Sequence, residues 1–139
     1  MRYWLFKSEP STWSWDDQVA KGDAGEEWDG VRNYQARNFM CEMAIGDKGF
    51  FYHSQSEKAV VGTVEVIAKA HPESKTDDPR WECVDIKAVQ PVKTPVTLEQ
   101  IKADERLSQM VLVNNSRLSV QPVTETEWRI ICDLAGITG

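Results

Sequence analysis

The sequence predicts an α+β domain built around a largely antiparallel, strongly curved sheet or a small barrel. Strand and helix patterns are mixed along the chain and lack the regular alternation of a parallel βα fold. The central strand patterns follow one another and are separated by short polar loops, which is typical of antiparallel pairing. With 139 residues, 41% of them hydrophobic and 27% charged, the chain suits one domain over residues 1–139.

The chain starts with an aromatic-rich strand over residues 3–7, which ends before the turn residue Pro10. Ser14 can cap a short helix over 15–20, because a serine hydroxyl accepts hydrogen bonds from the first free amides of a helix. Two glycines within 21–25 indicate a surface loop.

Residues 33–43 are predicted to form a longer helix. Its apolar side chains recur at spacings of three and four and are therefore expected to face the core. They are Ala36, Phe39, Met40 and Met43. Gly46 and Asp47 close the segment.

Three strands are predicted next, over residues 49–53, 59–70 and 81–89. The polar segments 54–58 and 71–79 connect them. A glycine at position 62, inside the β-branched second strand, indicates a bulge or a close approach of another part of the chain. The third strand alternates between two faces, one of which is the more polar.

Two capping-box patterns, TLEQ at 97–100 and TETE at 124–127, each mark the start of a helix. The second helix is expected to run to about residue 134 and to end at Gly136. Residues 119–123 form a short extended piece between the two helices.

The charge balance excludes some classes of nucleic-acid binder. The formal net charge is −6, whereas dedicated duplex-binding proteins carry basic surfaces because phosphate contacts dominate their affinity. Recognition of one base, a nucleoside or a short modified strand stays open, since it can depend on stacking and hydrogen bonding in a pocket.

Cysteine and histidine usage predicts neither a disulfide framework nor a metal or other cofactor. Cys41, Cys83 and Cys132 are odd in number and far apart, so they are interpreted as buried free thiols. His53 and His71 are too few and too scattered for a zinc pattern.

The sequence also predicts a cytoplasmic protein without a membrane partner. No apolar run approaches the roughly 18 residues of a membrane span. The apolar start of the chain is interrupted by KSEP at 7–10 and is too short for a signal peptide.

Trp28 is the clearest candidate for a binding residue. It lies among Glu, Asp and Gly in EEWDGV at 26–31, without apolar periodicity around it. A tryptophan in a polar loop that leads into a helix can present its ring to a base, a methyl group or a cation. A buried structural role is the alternative, because most tryptophans supply core area.

The segment RNYQARN at 32–38 is unusually polar for a helix start. Asn33 is either a helix cap or, together with Tyr34, part of a pocket mouth that reads the edge of a base. The strand ends at 7–8 and 53–54 offer further hydrogen-bonding groups.

Four ordered runs of residues extend this pattern over nearly the whole chain: YWLFKSEP at 3–10, WDGVRNYQARN at 28–38, FYHS at 51–54 and RLSVQPV at 117–123. Together they closely resemble the EVE domain, a family of the PUA-like superfamily that includes the thymocyte nuclear protein of animals. The resemblance implies a bent, mostly antiparallel β pseudo-barrel with flanking helices. It also implies a more distant likeness to YTH domains, which read a methylated adenine in RNA through an aromatic cage.

The resemblance further implies a pocket for a modified base, such as a modified cytosine, carried in DNA or RNA or offered as a free nucleoside. Bacterial members of the family are associated with defence against modified phage DNA. In this likeness Trp28 resembles a cage aromatic, residues 7–8 resemble the polar edge after the first strand, and residues 52–54 resemble a strand end that lines the pocket.

These considerations predict a set of ligand-binding residues, namely Lys7, Ser8, Trp28, Asn33, Tyr34, Ser54 and Ser119. A second set is predicted to contact phosphate, namely Arg32, Arg37 and Arg117. Two segments depart from the family pattern: the turn at 55–58 lacks the usual glycine or proline, and 113–116 carries asparagines where a basic residue is common. A weak hold on phosphate is therefore expected.

Two other functions stay open. PUA-like domains of the ASCH group resemble small amidohydrolases that act on acylated cytidine and use a lysine, a threonine and an acid. Lys7 and Glu9 would share one face of the first strand and could serve in acid–base catalysis, but no threonine partner is evident and no catalytic residue is assigned. The remaining possibility is a scaffold for protein interactions.

Overall fold

The computed structural model describes residues 1–55, 57–115 and 117–139, and within them six strands form one sheet flanked by five α-helices. The strands are β1 (Tyr3–Ser8), β2 (Glu26–Glu27), β3 (Lys48–His53), β4 (Ala59–Pro72), β5 (Glu82–Thr97) and β6 (Val120–Val123). The helices are α1 (Trp15–Ala20), α2 (Tyr34–Glu42), α3 (Leu98–Ala103), α4 (Val111–Asn114) and α5 (Glu125–Ala135). The predicted α+β class is confirmed.

The strands lie in the order β2-β5-β4-β3-β1-β6. Strands β1 and β3 are parallel, and the other neighbouring pairs of the described sheet are antiparallel, as predicted for most of it. Strands β1 and β3 can be parallel because the long connection between them, through α1, β2 and α2, returns the chain to the end of the sheet where β1 begins.

The sheet is bent where β4 and β5 pair. Their register shifts at several points, one of which lies between Val60 and Gly62. Bulges of this kind bend a strand and increase its twist. Gly62 also lies against a ring, since a Cβ atom there would be 2.4 Å from Trp15. Both the bulge and the close approach expected at position 62 are therefore present.

Helix starts follow the predicted capping patterns. Ser14, Thr97 and Thr124 each accept a hydrogen bond from the amide three residues later and begin α1, α3 and α5 with a full capping box. Asn33 caps α2, because its Oδ1 accepts from the Ala36 amide at 2.9 Å. Helix α5 ends at Gly136, whose φ of 73° is left-handed. No helix among residues 1–55, 57–115 and 117–139 is long and apolar enough to cross a membrane.

The structure extends the predicted strands and adds one. Strand β4 continues to Pro72 and β5 to Thr97, and the acidic pair Glu26–Glu27 forms β2. A 3₁₀ turn, Gly22–Ala24, lies within the predicted loop. The predicted turn at 54–58 includes Ser56, and the asparagine segment 113–116 includes Ser116; both serines lie outside the described residues.

Hydrophobic side chains pack in two clusters on opposite faces of the sheet. Alternation along β1 sends Trp4 and Phe6 to one face and Leu5 to the other. The first cluster also receives the apolar face of α2, whose predicted core residues are buried except for the partly buried Phe39. The second cluster holds Trp128 of α5.

Candidate functional site

A cavity of about 520 Å³ opens beside the first hydrophobic cluster. Its walls come from the end of β1, the turn that follows, β2 and the loop leading into α2. They consist of Lys7, Ser8, Glu9, Thr12, Trp13, residues 26–32, Lys75 and Ser119. Ser119 lies beside β1 because its carbonyl accepts from the Lys7 amide at 2.8 Å. The cavity is within the range of about 300–1,000 Å³ that small-molecule sites occupy.

Trp28 forms a rigid aromatic part of the wall. Its amide donates to Val84 O at 2.8 Å, and its ring packs edge-to-face on Phe6 and Phe51, with centroids 5.3 and 5.6 Å away. Only 7% of Trp28 is exposed, so it is a core residue as well as a cavity residue. Trp28 is therefore not displayed on a polar loop; it has the buried structural role that the sequence left as the alternative, and it also lines the cavity.

Trp13 is a second tryptophan of the wall, which the sequence reasoning missed. Its indole N–H donates to Gln18 Oε1 at 2.9 Å, and the buried Gln18 in turn donates to Ile86 O at 3.0 Å. The Trp13 carbonyl accepts from the Ser8 hydroxyl at 2.5 Å. A signal was available, because Trp13 lies in the polar turn PSTW at 10–13, as Trp28 lies among polar residues.

Lys7 and Ser8, two of the residues predicted to bind a ligand, line the cavity. Burial, and after it repulsion from Lys58, lowers the pKa of Lys7. The Lys7 ammonium lies 6.0 Å from the centroid of the Tyr52 ring. Because the single Ser8 hydroxyl proton is donated to Trp13, the Ser8 oxygen is left to accept a hydrogen bond from a ligand.

Part of the cavity wall is acidic, which the sequence reasoning also missed. Asp29 Oδ2 pairs with Lys75 Nζ at 2.6 Å. Glu27 accepts hydrogen bonds from the amide and the hydroxyl of Ser74, and the hydroxyl contact lowers the pKa of Glu27. Ionised carboxylates only accept hydrogen bonds, so this wall favours a ligand that presents N–H groups.

Arg32 lines the cavity, but its guanidinium is held by a partner. Nη1 and Nη2 each donate to a Glu73 oxygen at 3.0 Å, and the guanidinium lies 5.0 Å from the Trp81 ring. Glu73 is only 5% exposed and also accepts from the Gly30 amide at 3.3 Å. A phosphate would have to compete with this carboxylate for Arg32.

Several predicted residues lie away from the cavity. Among the described residues, its wall does not include Asn33, Tyr34, Arg37, Ser54 or Arg117. Tyr34 is half exposed and stacks on Trp81 at 5.1 Å, and the Arg37 guanidinium lies 5.0 Å from the Tyr34 ring. The Ser54 amide donates to Ser8 O at 2.9 Å, which places its backbone against β1. The structure thus brings together Lys7, Ser8, Trp28, Arg32 and Ser119.

Comparisons with known proteins place this geometry in a family. The family model "EVE domain" matches residues 2–134. Thymocyte nuclear protein 1 of Mus musculus is 36% identical over 164 residues, which cover 95% of this chain and 73% of the mouse protein. The crystal structure of Atu2648 from Agrobacterium tumefaciens is 56% identical, with a TM-score of 0.97 over 99% of this chain and 94% of that one.

Two further structures bear on the fold and the site. Human THYN1, solved in complex with 5-methylcytosine-containing DNA, is 32% identical with a TM-score of 0.90, and each chain is covered completely, 100% and 100%. The Mmi1 YTH domain, at 12% identity and a TM-score of 0.58, shares the fold. With four ordered sequence runs, the matching architecture and a family match over residues 2–134, this chain belongs to the EVE domain family.

Proposed function

We propose that this chain binds a modified nucleobase carried in DNA, within the cavity lined by Trp13 and Trp28. The observation that carries the proposal is the cavity of about 520 Å³ with two tryptophans in its wall. The similar human protein solved with 5-methylcytosine-containing DNA supports DNA as the carrier.

Stacking supplies the main attraction for a flat ring. A base stacked on an aromatic side chain gains about 1–3 kcal/mol. Trp28 is held by Phe6 and Phe51, and Trp13 by its hydrogen bond to Gln18. Little conformational entropy is therefore lost at these residues when the ligand binds.

The polar groups favour a base with an exocyclic amino group. Carboxylates accept hydrogen bonds from the amino group of cytosine, and Glu26, Glu27 and Asp29 line one wall. Lys7 offers ammonium donors to a ring carbonyl, and Ser8 offers an acceptor oxygen. Cytosine presents both an amino donor and a carbonyl acceptor, so we infer a cytosine derivative as the ligand.

Discrimination between modified and unmodified bases depends on apolar contact. A base must leave the duplex to enter the cavity, which costs a few kcal/mol for either form. A buried methyl group contributes about 0.8 kcal/mol, or about fourfold in affinity. Larger selectivity requires an added group that fills more of the apolar space beside Trp28 or forms its own hydrogen bond.

Binding of the DNA backbone is expected to be weak. The net charge is −6, and two cations of the cavity wall are paired with carboxylates, Arg32 with Glu73 and Lys75 with Asp29. Few condensed counterions would be released on binding, so the affinity should fall only shallowly with salt.

The test measures fluorescence anisotropy with matched single-stranded and duplex oligonucleotides that carry cytosine or 5-methylcytosine at one position. We expect tighter binding of the modified strand, a loss of about 5- to 160-fold in Trp13→Ala from lost stacking, and near-normal binding in Trp13→Phe. Equal affinity for both strands, or unchanged affinity in Trp13→Ala, would refute the proposal. Tighter binding of the same sequence as RNA would refute DNA as the carrier.

An amidohydrolase is the second candidate, because the cavity brings Lys7 and Glu9 together with Thr12. The lysine, threonine and acid expected for such an enzyme thus line one cavity, including the threonine that the sequence did not reveal. Burial lowers the pKa of Lys7, so its ammonium gives up a proton more readily than that of an exposed lysine. Turnover of acylated cytidine that is lost in Lys7→Met would support catalysis, and absence of turnover would remove this candidate.

A further inference from the structure

Strand register brings four potential metal ligands to one face of the sheet near its edge. Glu27 of β2 pairs with Asp85 of β5, and His71 of β4 pairs with Cys83 of β5. Paired residues point to the same face, as do residues two apart on one strand. Glu27, His71, Cys83 and Asp85 therefore share a face, although the first and the last are 58 positions apart in sequence.

The donor atoms of Glu27, His71 and Cys83 are close enough to converge on one ion, and Asp85 lies against His71. A carboxylate oxygen of Glu27, a ring nitrogen of His71 and Cys83 Sγ all lie within 4.8 Å of one another. Cys83 Sγ is 3.5 Å from Glu27 Oε1, and His71 Nε2 is 2.7 Å from Asp85 Oδ1. Donors of a tetrahedral zinc site lie about 3.3–3.6 Å apart, given bonds of about 2.0–2.3 Å. The partly exposed side chains of Glu27, His71 and Asp85 would have to shift to complete this geometry around the buried Cys83.

The surroundings of His71 prepare one ring nitrogen as a ligand. Nδ1 lies 3.0 Å from the carbonyl oxygen of Pro72, and Nε2 faces the Asp85 carboxylate. Metal-binding histidines commonly donate their other ring N–H to a carbonyl or carboxylate, which fixes the tautomer. With the proton on Nδ1, the lone pair of Nε2 and an Asp85 oxygen face each other, so a proton or a metal ion must lie between them.

We propose that Glu27, His71, Cys83 and Asp85 bind one divalent transition-metal ion, with zinc preferred over magnesium or calcium. A thiolate and an imidazole are ligands that zinc favours, whereas magnesium and calcium favour oxygen. The sequence showed no zinc pattern because the ligands come from three different strands and have no fixed spacing. The site shares Glu27 with the cavity wall, and the geometry of its ligands supports it independently of the proposed base binding.

Metal binding must displace existing contacts. In the structure, the Cys83 thiol donates to a Glu27 carboxylate oxygen and His71 pairs with Asp85. Cys83 is fully buried, whereas His71 and Glu27 are partly exposed and provide the route of entry. Binding would release the thiol proton, so affinity should rise with pH.

The experiment titrates cobalt(II), as a spectroscopic substitute for zinc, into chelator-treated full-length protein. We expect one equivalent to bind with thiolate-to-cobalt charge-transfer absorption, which zinc then abolishes by displacement and magnesium does not. Cys83→Ala should lose this absorption, whereas Cys132→Ala, which removes another buried thiol, should retain it. Wild-type protein without the absorption, or Cys83→Ala with it, would overturn the proposal.

His71→Gln provides a second variant in case Cys83→Ala fails to fold, because His71 lies at the partly exposed side of the site. We expect zinc affinity, measured by competition with a chelating dye, to fall at least about tenfold in this variant. Unchanged zinc affinity in His71→Gln would exclude His71 as a ligand and overturn the site as proposed.

Discussion

Gly62 of β4 lies against the outer end of the Trp15 ring, where a Cβ atom would be only 2.4 Å from the indole carbons. The ring of Trp15 in turn packs edge-to-face on Phe51, with centroids 5.4 Å apart. A glycine at the bulge thus lets helix α1 approach the sheet. This contact holds α1 and the Trp13 turn that precedes it beside the cavity.

Replacing Gly62 with alanine should destabilise the protein by about 1–3 kcal/mol, because the methyl group overpacks a filled site. Urea unfolding of the variant measures the loss. The double variant Gly62→Ala with Trp15→Phe should lose less than the sum of the two single losses, since the shorter ring vacates the contested space. Strict additivity would show that the two residues do not compete for space.

Glu73→Gln should strengthen DNA binding and increase its dependence on salt. The substitution removes the charge that pairs with Arg32 at 3.0 Å and leaves a cation at the cavity wall. One additional phosphate contact steepens the slope of log K against log salt by about 0.7–0.9. Anisotropy measured at several salt concentrations gives this slope.

The matched control for that prediction is Glu99→Gln, which makes the same charge change at an exposed position outside the cavity wall. An equal effect in both variants would mean that overall charge, and not the release of Arg32, changes binding. No effect in either variant would show that Arg32 lies too far from the bound backbone to contact it.

Features of the fold that are set by neighbouring residues could be predicted from the sequence. The capping boxes at Ser14, Thr97 and Thr124 are local, because a side chain and an amide three residues apart make the contact. Strand β2 has only two acidic residues and carries no hydrophobic pattern. The end of β5 was missed because Pro91 and Pro95 usually argue against a strand, yet they are tolerated where β2 no longer pairs beside them.

For the candidate site, too, only the residues that lie in continuous sequence runs could be predicted. Lys7, Ser8 and Trp28 belong to continuous runs that resemble a known family, and the cavity includes them. Contacts between distant segments could not be predicted from one sequence. Arg32 pairs with Glu73, which is 41 residues away, and Lys75 forms an ion pair with Asp29 in the cavity wall. Such pairs depend on the fold and leave no pattern in the chain.

Tyr34→Ala should change affinity for a modified base by less than about twofold, in contrast to Trp13→Ala. Tyr34 stacks on Trp81 and lies outside the cavity wall, whereas Trp13 is part of it. Anisotropy with a single modified nucleoside, which has no neighbouring nucleotides, isolates the cavity itself. A loss of affinity in Tyr34→Ala equal to that in Trp13→Ala would place the base-binding surface at the Tyr34–Trp81 stack.

His53 should make the protein less stable as the pH falls below neutrality. Its Nε2 accepts a hydrogen bond from the Trp15 amide at 3.1 Å, which requires the nitrogen to be unprotonated. Burial lowers the pKa of His53, although Glu57 and Asp16 partly oppose this shift. Between the folded-state pKa and the unfolded value of about 6.5, the unfolded chain binds a proton that the folded protein does not. The contribution of His53 is therefore complete above about pH 6.5, decreases as the pH falls to the folded-state pKa, and is constant below it.

Urea unfolding of wild-type protein and His53→Gln across this pH range tests the prediction. Glutamine retains an oxygen acceptor for the Trp15 amide but does not titrate. The stability of the wild type should fall relative to that of the variant as the pH decreases. His71, whose pKa is raised by its hydrogen bond to Asp85, contributes with the opposite sign, but it is present in both proteins and cancels in the difference. A difference in stability that is independent of pH would mean that His53 titrates with the same pKa in the folded and the unfolded chain, and would contradict the prediction.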